Sequence, residues 1–175
     1  MKKLILPLFL TSVLAASAQT FVTGADAGYL LEDEEAYYSA RFGLVVKANE
    51  TFSHQLDAEV GYTDSRVAGG DSSILPVTLN YRMQSVTTGN FGYYVGAGAG
   101  FARVRADGVS TGGGVRLHDT AFAAQAFTGV TWQVSPATTL SLGAKYLWID
   151  DVKLASTNFE VGDDVALSAG LSIRF

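Results

Sequence analysis

Seven ionisable residues recur on a set of alternate positions otherwise rich in Gly, Ala, Ser and Thr. The acids are Asp26, Asp57 and Glu59, and the bases are Arg41, Arg82, Lys145 and Arg174, with Gln125 as a neutral companion. Charges withdrawn from water are costly unless paired, so these residues are expected to form an ion-pair network. Asp26, Glu59, Arg41, Arg82 and Lys145 are its leading members. Such a network suits two chemistries: an ion path in which pairs exchange partners, or a polar plug that holds its surroundings shut.

Other chemistry is thinner. Ser110, His118 and Asp119 carry the residue types of a nucleophile and its base. Ser110, however, lies in VSTGGGV, whose glycines would hold a nucleophile poorly against the placement catalysis requires. No catalytic residue is assigned, and the chain is not expected to be an enzyme. The GAGAG run of Gly96 to Gly100 lacks the GxGxxG spacing and the following helix of a nucleotide loop; it is read as space for Arg82, Gln125 and Phe127. The sequence has no cysteine, which removes disulfides, thiolate zinc sites and a cysteine nucleophile. Acidic runs at Glu32-Asp33-Glu34-Glu35, Asp150-Asp151 and Asp163-Asp164 lack ligand-loop spacing, so no metal and no cofactor are expected. With 12 Lys+Arg against 17 Asp+Glu, the charge of −5 has the wrong sign for a nucleic-acid binder.

The elements that position these residues begin after an address label. Lys2 and Lys3, the apolar Leu4 to Ala16, and Ala16-Ser17-Ala18 form a signal peptide over residues 1–18, cleaved before Gln19. Residues 19–175 then form one domain. Period-2 alternation predicts eight strands at 20–30, 36–47, 53–63, 73–86, 91–105, 120–134, 138–149 and 164–175. In the last, Val165, Leu167, Ala169, Leu171, Ile173 and Phe175 share one face, against Asp164, Ala166, Ser168, Gly170, Ser172 and Arg174 on the other. A polar face this rich in small residues and poor in charge is unlike a water-exposed surface, so the apolar face is assigned outward. An even number of such strands suits a closed antiparallel transmembrane barrel, with the charged set inside.

The aromatics fall at two heights. Phe21, Phe91, Tyr93, Trp132 and Phe175 mark one end; Tyr29, Tyr38, Tyr62, Phe101, Phe122, Tyr146 and Trp148 mark the other. Phe122 and Trp132 are ten residues apart on one strand, roughly 23 Å of height at about 3.3 Å per residue and a 45° tilt. The apolar band of a membrane barrel is about 25 Å tall. Connections at one end are short (48–52, 87–90, 135–137), and at the other three of the four are longer (64–72, 106–119 and 150–163, with 31–35 the exception). Short turns face the periplasm in such barrels, which places both termini there. With the chain ending at Phe175, no cell-wall-binding domain is expected after the barrel. His54 falls on the outward parity near the periplasmic end.

The passages YYVGAGAGFARV, VSPATTLSLGAKYLWIDDV and the terminal LSAGLSIRF resemble the small eight-stranded outer-membrane barrel family that includes the Opacity proteins and the OmpX and OmpA-type barrels. The resemblance covers residues 20 to 175. It implies an all-β, up-and-down barrel in the cell outer membrane of a Gram-negative-type bacterium, with Phe175 as the signal read by the barrel-assembly machinery. It does not name an activity, because members differ mostly in their loops. The expected role is structural or adhesive, through extracellular loops at the cell surface, with the lumen plugged. A narrow porin-like channel is the alternative and a lipid-A-modifying enzyme the third. Expected partners are membrane lipid and lipopolysaccharide, whose phosphates Arg103 and Arg105 could meet, and a host or cell-surface ligand. A monomer is expected. Since side chains fill a barrel of this size, removal of Arg82 and Glu59 together is expected to raise conductance.

Overall fold

The computed structural model describes residues 20–49, 51–67, 70–85, 89–107, 116–154, 157–159 and 162–175. Eight antiparallel strands close into a barrel: β1 (Phe21–Leu30), β2 (Ala36–Ala48), β3 (Phe52–Val67), β4 (Gly70–Ser85), β5 (Phe91–Asp107), β6 (Arg116–Gln133), β7 (Thr138–Ile149) and β10 (Gly162–Arg174). Each pairs with its neighbour in the chain, and β1 closes on β10. At that seam Phe21 N–H donates to the Phe175 carbonyl at 2.9 Å and Phe175 N–H to Phe21 at 3.0 Å. The two rings stack at 6.2 Å. The signal peptide over 1–18 lies outside the described residues.

The strands match the alternation within a residue or two at the short-turn end and run longer at the other. β3 and β4 continue through Val67↔Gly70, and β5 and β6 through Asp107↔Arg116, where loops were expected. The expected 150–163 loop contains a second hairpin, β8 (Val152–Leu154) paired with β9 (Thr157–Phe159). Past the apolar band both faces of a strand are wet, so the alternation fades while the backbone ladder goes on pairing. We call the end with these extensions the loop end and the end bearing the termini the turn end.

Two local devices shape the wall. Pro76 sits inside β4 without an N–H to donate. The β3–β4 ladder pairs Val60↔Val77 and resumes at Thr63↔Ile74, so the gap falls at Pro76. Opposite it is Gly61, where a Cβ would strike the Tyr37 hydroxyl and the Pro76 ring. Glycine there admits a tyrosine side chain into the lumen. At the loop end, the Asp164 carboxylate accepts the backbone N–H groups of Leu31 (3.1 Å), Glu32 (3.1 Å) and Asp33 (3.0 Å). That latch holds the β1–β2 connection, in which Glu34 takes a left-handed φ of 56°.

Candidate functional site

The lumen is built by the inward parity of each strand, and Glu59 on β3 is its centre, 1% exposed. Lys145 on β7 forms an ion pair with Glu59 Oε1. The Tyr37 hydroxyl donates to the same oxygen at 3.2 Å, and Lys145 Nζ lies 4.9 Å from the Tyr37 ring. Glu59 Oε2 accepts from Asn80 Nδ2 at 3.2 Å and Gln125 Nε2 at 3.4 Å. Gln125 Nε2 also donates to Asn80 Oδ1 at 2.7 Å and Thr78 Oγ1 at 3.0 Å. A buried carboxylate is stable only when its lone pairs are occupied in this way.

Two further pairs flank the centre. Arg41 on β2 is ion-paired with Asp26 on β1, whose Oδ2 lies 3.5 Å from the Ser39 hydroxyl. Arg82 on β4 faces Asp57 on β3 more loosely, with Nε 3.9 Å from Oδ2, and both atoms are buried without a hydrogen-bond partner. The Arg82 guanidinium instead lies over two rings, 4.5 Å from Tyr94 and 4.7 Å from Phe127, a favourable place for a planar cation. Beside Asp26, Arg82 and Lys145 the remaining void is about 10 Å³, room for about one water molecule.

Apolar residues cap the filled polar centre at one end. Towards the loop end the inward residues turn apolar: Leu30, Ile74, Val104, Leu147, Ile149 and Ala166 join in one buried cluster above it. Towards the turn end the lumen opens into a cavity of about 70 Å³ bordered by Ser53, Gln84, Ser85, Asn90, Thr131 and Arg174. The lumen is thus a polar pit with an apolar lid.

Of the expected network, Asp26, Arg41, Asp57, Glu59, Arg82, Gln125 and Lys145 are brought together in the lumen. Arg174 is not: it is exposed at the turn-end mouth. Its strand ends there, so its charge stays in water, and the buried set becomes three acids against three bases. Tyr37, Asn80, Thr78 and Tyr94 complete the site and were missed, although Tyr37 shares the inward parity of Ser39 and Arg41. Gly96 makes room for Phe127 as expected, but Gly98 and Gly100 accommodate Asn80 and the β4 backbone rather than Arg82 and Gln125. Ser110 and the His118 side chain lie outside the described residues, so the candidate nucleophile set has no geometry here. Among the described residues no group of three or more His, Asp or Glu is arranged to hold a metal.

The outward surface completes the picture. Leu79, Phe101 and Leu142 are each more than 60% exposed. The aromatics gather at two ends: Phe21–Phe42, Phe91–Trp132 and Phe52–Tyr93 at the turn end, Phe101–Phe122 and Phe122–Trp148 at the loop end. Phe42 and Phe52 join the expected set, and His54 faces outward against the Tyr81 hydroxyl at 2.6 Å. Tyr29, Tyr38, Tyr62 and Tyr146 are exposed on the loop-end half. Apolar outside, polar within and ringed twice by aromatics is the inverse of a water-soluble barrel.

No family model and no curated protein matches the chain. Solved structures do. Neisserial surface protein A (NspA) superposes with a TM-score of 0.65 at 18% identity, covering 91% of this chain and 98% of that one. The attachment invasion locus protein Ail of Yersinia pestis, solved with the heparin analogue sucrose octasulfate, gives 0.56 at 10% identity, over 90% and 97%. The chain has the fold of the small eight-stranded outer-membrane barrels. The outer membrane enzyme PagL shares it at a TM-score of 0.51 and 12% identity, over 88% of this barrel and 98% of that one. The fold therefore carries enzymes as well as non-enzymatic barrels, and what this barrel does must be argued from its own residues.

Proposed function

We propose that this is an outer-membrane barrel of a Gram-negative-type bacterium whose work is done at its surface, where it anchors loops for adhesion, cell-surface contact or envelope integrity. The observation that carries this is the double closure of the lumen. Ion-paired side chains fill the centre, and the apolar layer of Leu30, Ile74, Val104, Leu147 and Ile149 lies above them in series. An ion crossing that layer would have to shed its water with nothing to replace it. A closed lumen leaves the loops and the outer wall as the regions that meet partners. The termini and short turns face the periplasm, the loop end faces outward, and residues 1–18 direct export.

A narrow channel is the second reading, and the cavity at the turn-end mouth beside Arg174 favours it. Single-channel conductance of the refolded chain in a planar bilayer separates the two, with a cold-versus-boiled gel shift as the check of folding. A silent bilayer from shifted protein supports the anchoring role. Discrete openings proportional to salt would overturn it in favour of the channel.

A further inference from the structure

One outward face, formed by β5, β6 and β7, is unlike the others. Along β5 the outward positions rise in steps of two through Ala97, Ala99, Phe101, Arg103 and Arg105. Arg103 and Arg105 are exposed above the aromatic cluster of Phe101, Phe122 and Trp148, and neither guanidinium is bonded to a described residue. Aromatic clusters of this kind mark the level where acyl chains give way to headgroups. The two cations therefore stand at headgroup height, stacked in one column.

Below the rings the face is hollow. Register pairs Ala97↔Ala126 and Ala99↔Ala124 put methyl groups where β4 carries Leu75, Val77 and Leu79. A groove results, with Ala126, Thr128 and Ala144 on its floor and Val95, Tyr146 and Val165 on its rim. The carboxylate nearest its other side, Asp163, is occupied by the Tyr146 hydroxyl at 2.5 Å. On β3, Asp64 is likewise held by Tyr62 at 2.7 Å. Those two carboxylates are thus taken up by tyrosine hydroxyls, while Arg103 and Arg105 have no bonded partner among the described residues. The backbone register places Asp107 and Asp71 next beyond Arg105, so the column is cationic at the height of the rings and changes sign above them.

We propose that this face holds one lipid of the surrounding leaflet, its net-anionic phosphate headgroup on Arg103 and Arg105 and an acyl chain in the groove over Ala126 and Ala144. Guanidinium forks match phosphate oxygens in charge and in geometry, and an unbranched chain fills a groove that the barrel's own side chains leave empty. The site rests on the membrane reading given above. It ties that reading to a particular lipid chemistry.

The test is native mass spectrometry of the refolded full chain, released from detergent doped with phosphatidic acid or with phosphatidylcholine of equal chain length. Inorganic phosphate alone is the third probe. The parent protein is expected to retain one phosphatidic acid in preference to phosphatidylcholine. Arg103→Ala with Arg105→Ala is expected to lower that retention about thirtyfold, at roughly the strength of two cations near an anionic surface. Ala126→Trp, which fills the groove and keeps both arginines, is expected to lower it as well. Equal retention of the two lipids, an unchanged double variant, or inorganic phosphate competing as well as the lipid would each overturn the site. The gel shift read on the same samples keeps the two proposals apart. A barrel that folds yet fails to select lipid overturns this site alone, whereas a chain that does not fold in a membrane mimic overturns the membrane reading with it.

Discussion

Lys145 on β7 and Glu59 on β3 form an ion pair across the full width of the lumen, from strands that stand opposite each other in the ring of eight. Neighbouring-strand pairs such as Arg41–Asp26 stitch two staves together, but this one spans the barrel. Removing one partner leaves a charge stranded among buried groups. Lys145→Met should therefore lower the unfolding free energy by about 3–5 kcal/mol, read from urea unfolding by the fluorescence of Trp132 and Trp148. Lys145→Met with Glu59→Gln should recover much of that loss. A neutral single variant would contradict the pairing.

The polar centre and the apolar lid act in series, which alters what removal of the charges alone should do. Arg82→Ala with Glu59→Ala, expected from sequence to raise conductance, should leave the bilayer silent, because Ile74, Val104, Leu147 and Ile149 still close the loop end. Adding Leu147→Ser and Ile149→Ser should let current through. Openings in the first variant would show that the lid does not seal.

Gly98 faces Asn80 across the β4–β5 register, and a Cβ there would overlap the Asn80 side chain and the Leu79 carbonyl. Asn80 also donates to Glu59, so it cannot swing away without unsatisfying a buried carboxylate. Gly98→Ala should cost about 1–3 kcal/mol as an overpacked substitution, measured by the same urea midpoint. At Gly89, where a Cβ would meet nothing within 4 Å, the same substitution should be close to neutral.

Asp164 organises the β1–β2 connection by accepting three backbone N–H groups. A hydrogen bond to a charged group contributes about 1.5–3 kcal/mol, so Asp164→Ala should accelerate amide exchange at Glu32 and Asp33 by about tenfold or more, while Leu31 keeps the Val165 carbonyl as a second acceptor at 3.0 Å. Global unfolding should shift little. Exchange that stays slow would mean that the turn holds itself.

The barrel was legible because strand parity is a local property: each of Arg41, Asp57, Glu59, Arg82 and Lys145 announces its face by the small or apolar residues beside it. Who meets whom was less so. Asn80 and Gln125 reach Glu59 from two other strands, a relation set by barrel closure that no single segment contains. Ile74 shares the inward parity of Arg82 and Leu147 that of Lys145, yet their union with Leu30 and Val104 into a lid depends on the height of each strand. Arg174 had the right parity and the wrong height, since the strand reaches open solvent at its last turn. Tyr37, beside the outward Tyr38, enters the lumen because Gly61 leaves space for its hydroxyl.

The seam between Phe21 and Phe175 joins the first strand to the last, and it sets a timetable. Every partner of β1 and β2 through β7 can form from neighbours in the chain, but the ring cannot close until the final strand is delivered. Until then two rows of unpaired N–H and C=O groups stay open, at β1 and at the growing front, and such rows recruit other chains. Closure also joins the residues most distant in sequence, the slowest kind of contact to make. The barrel therefore spends its most vulnerable moments one strand short of completion, and a chain that lost β10 would have an edge on each side and no partner of its own for either.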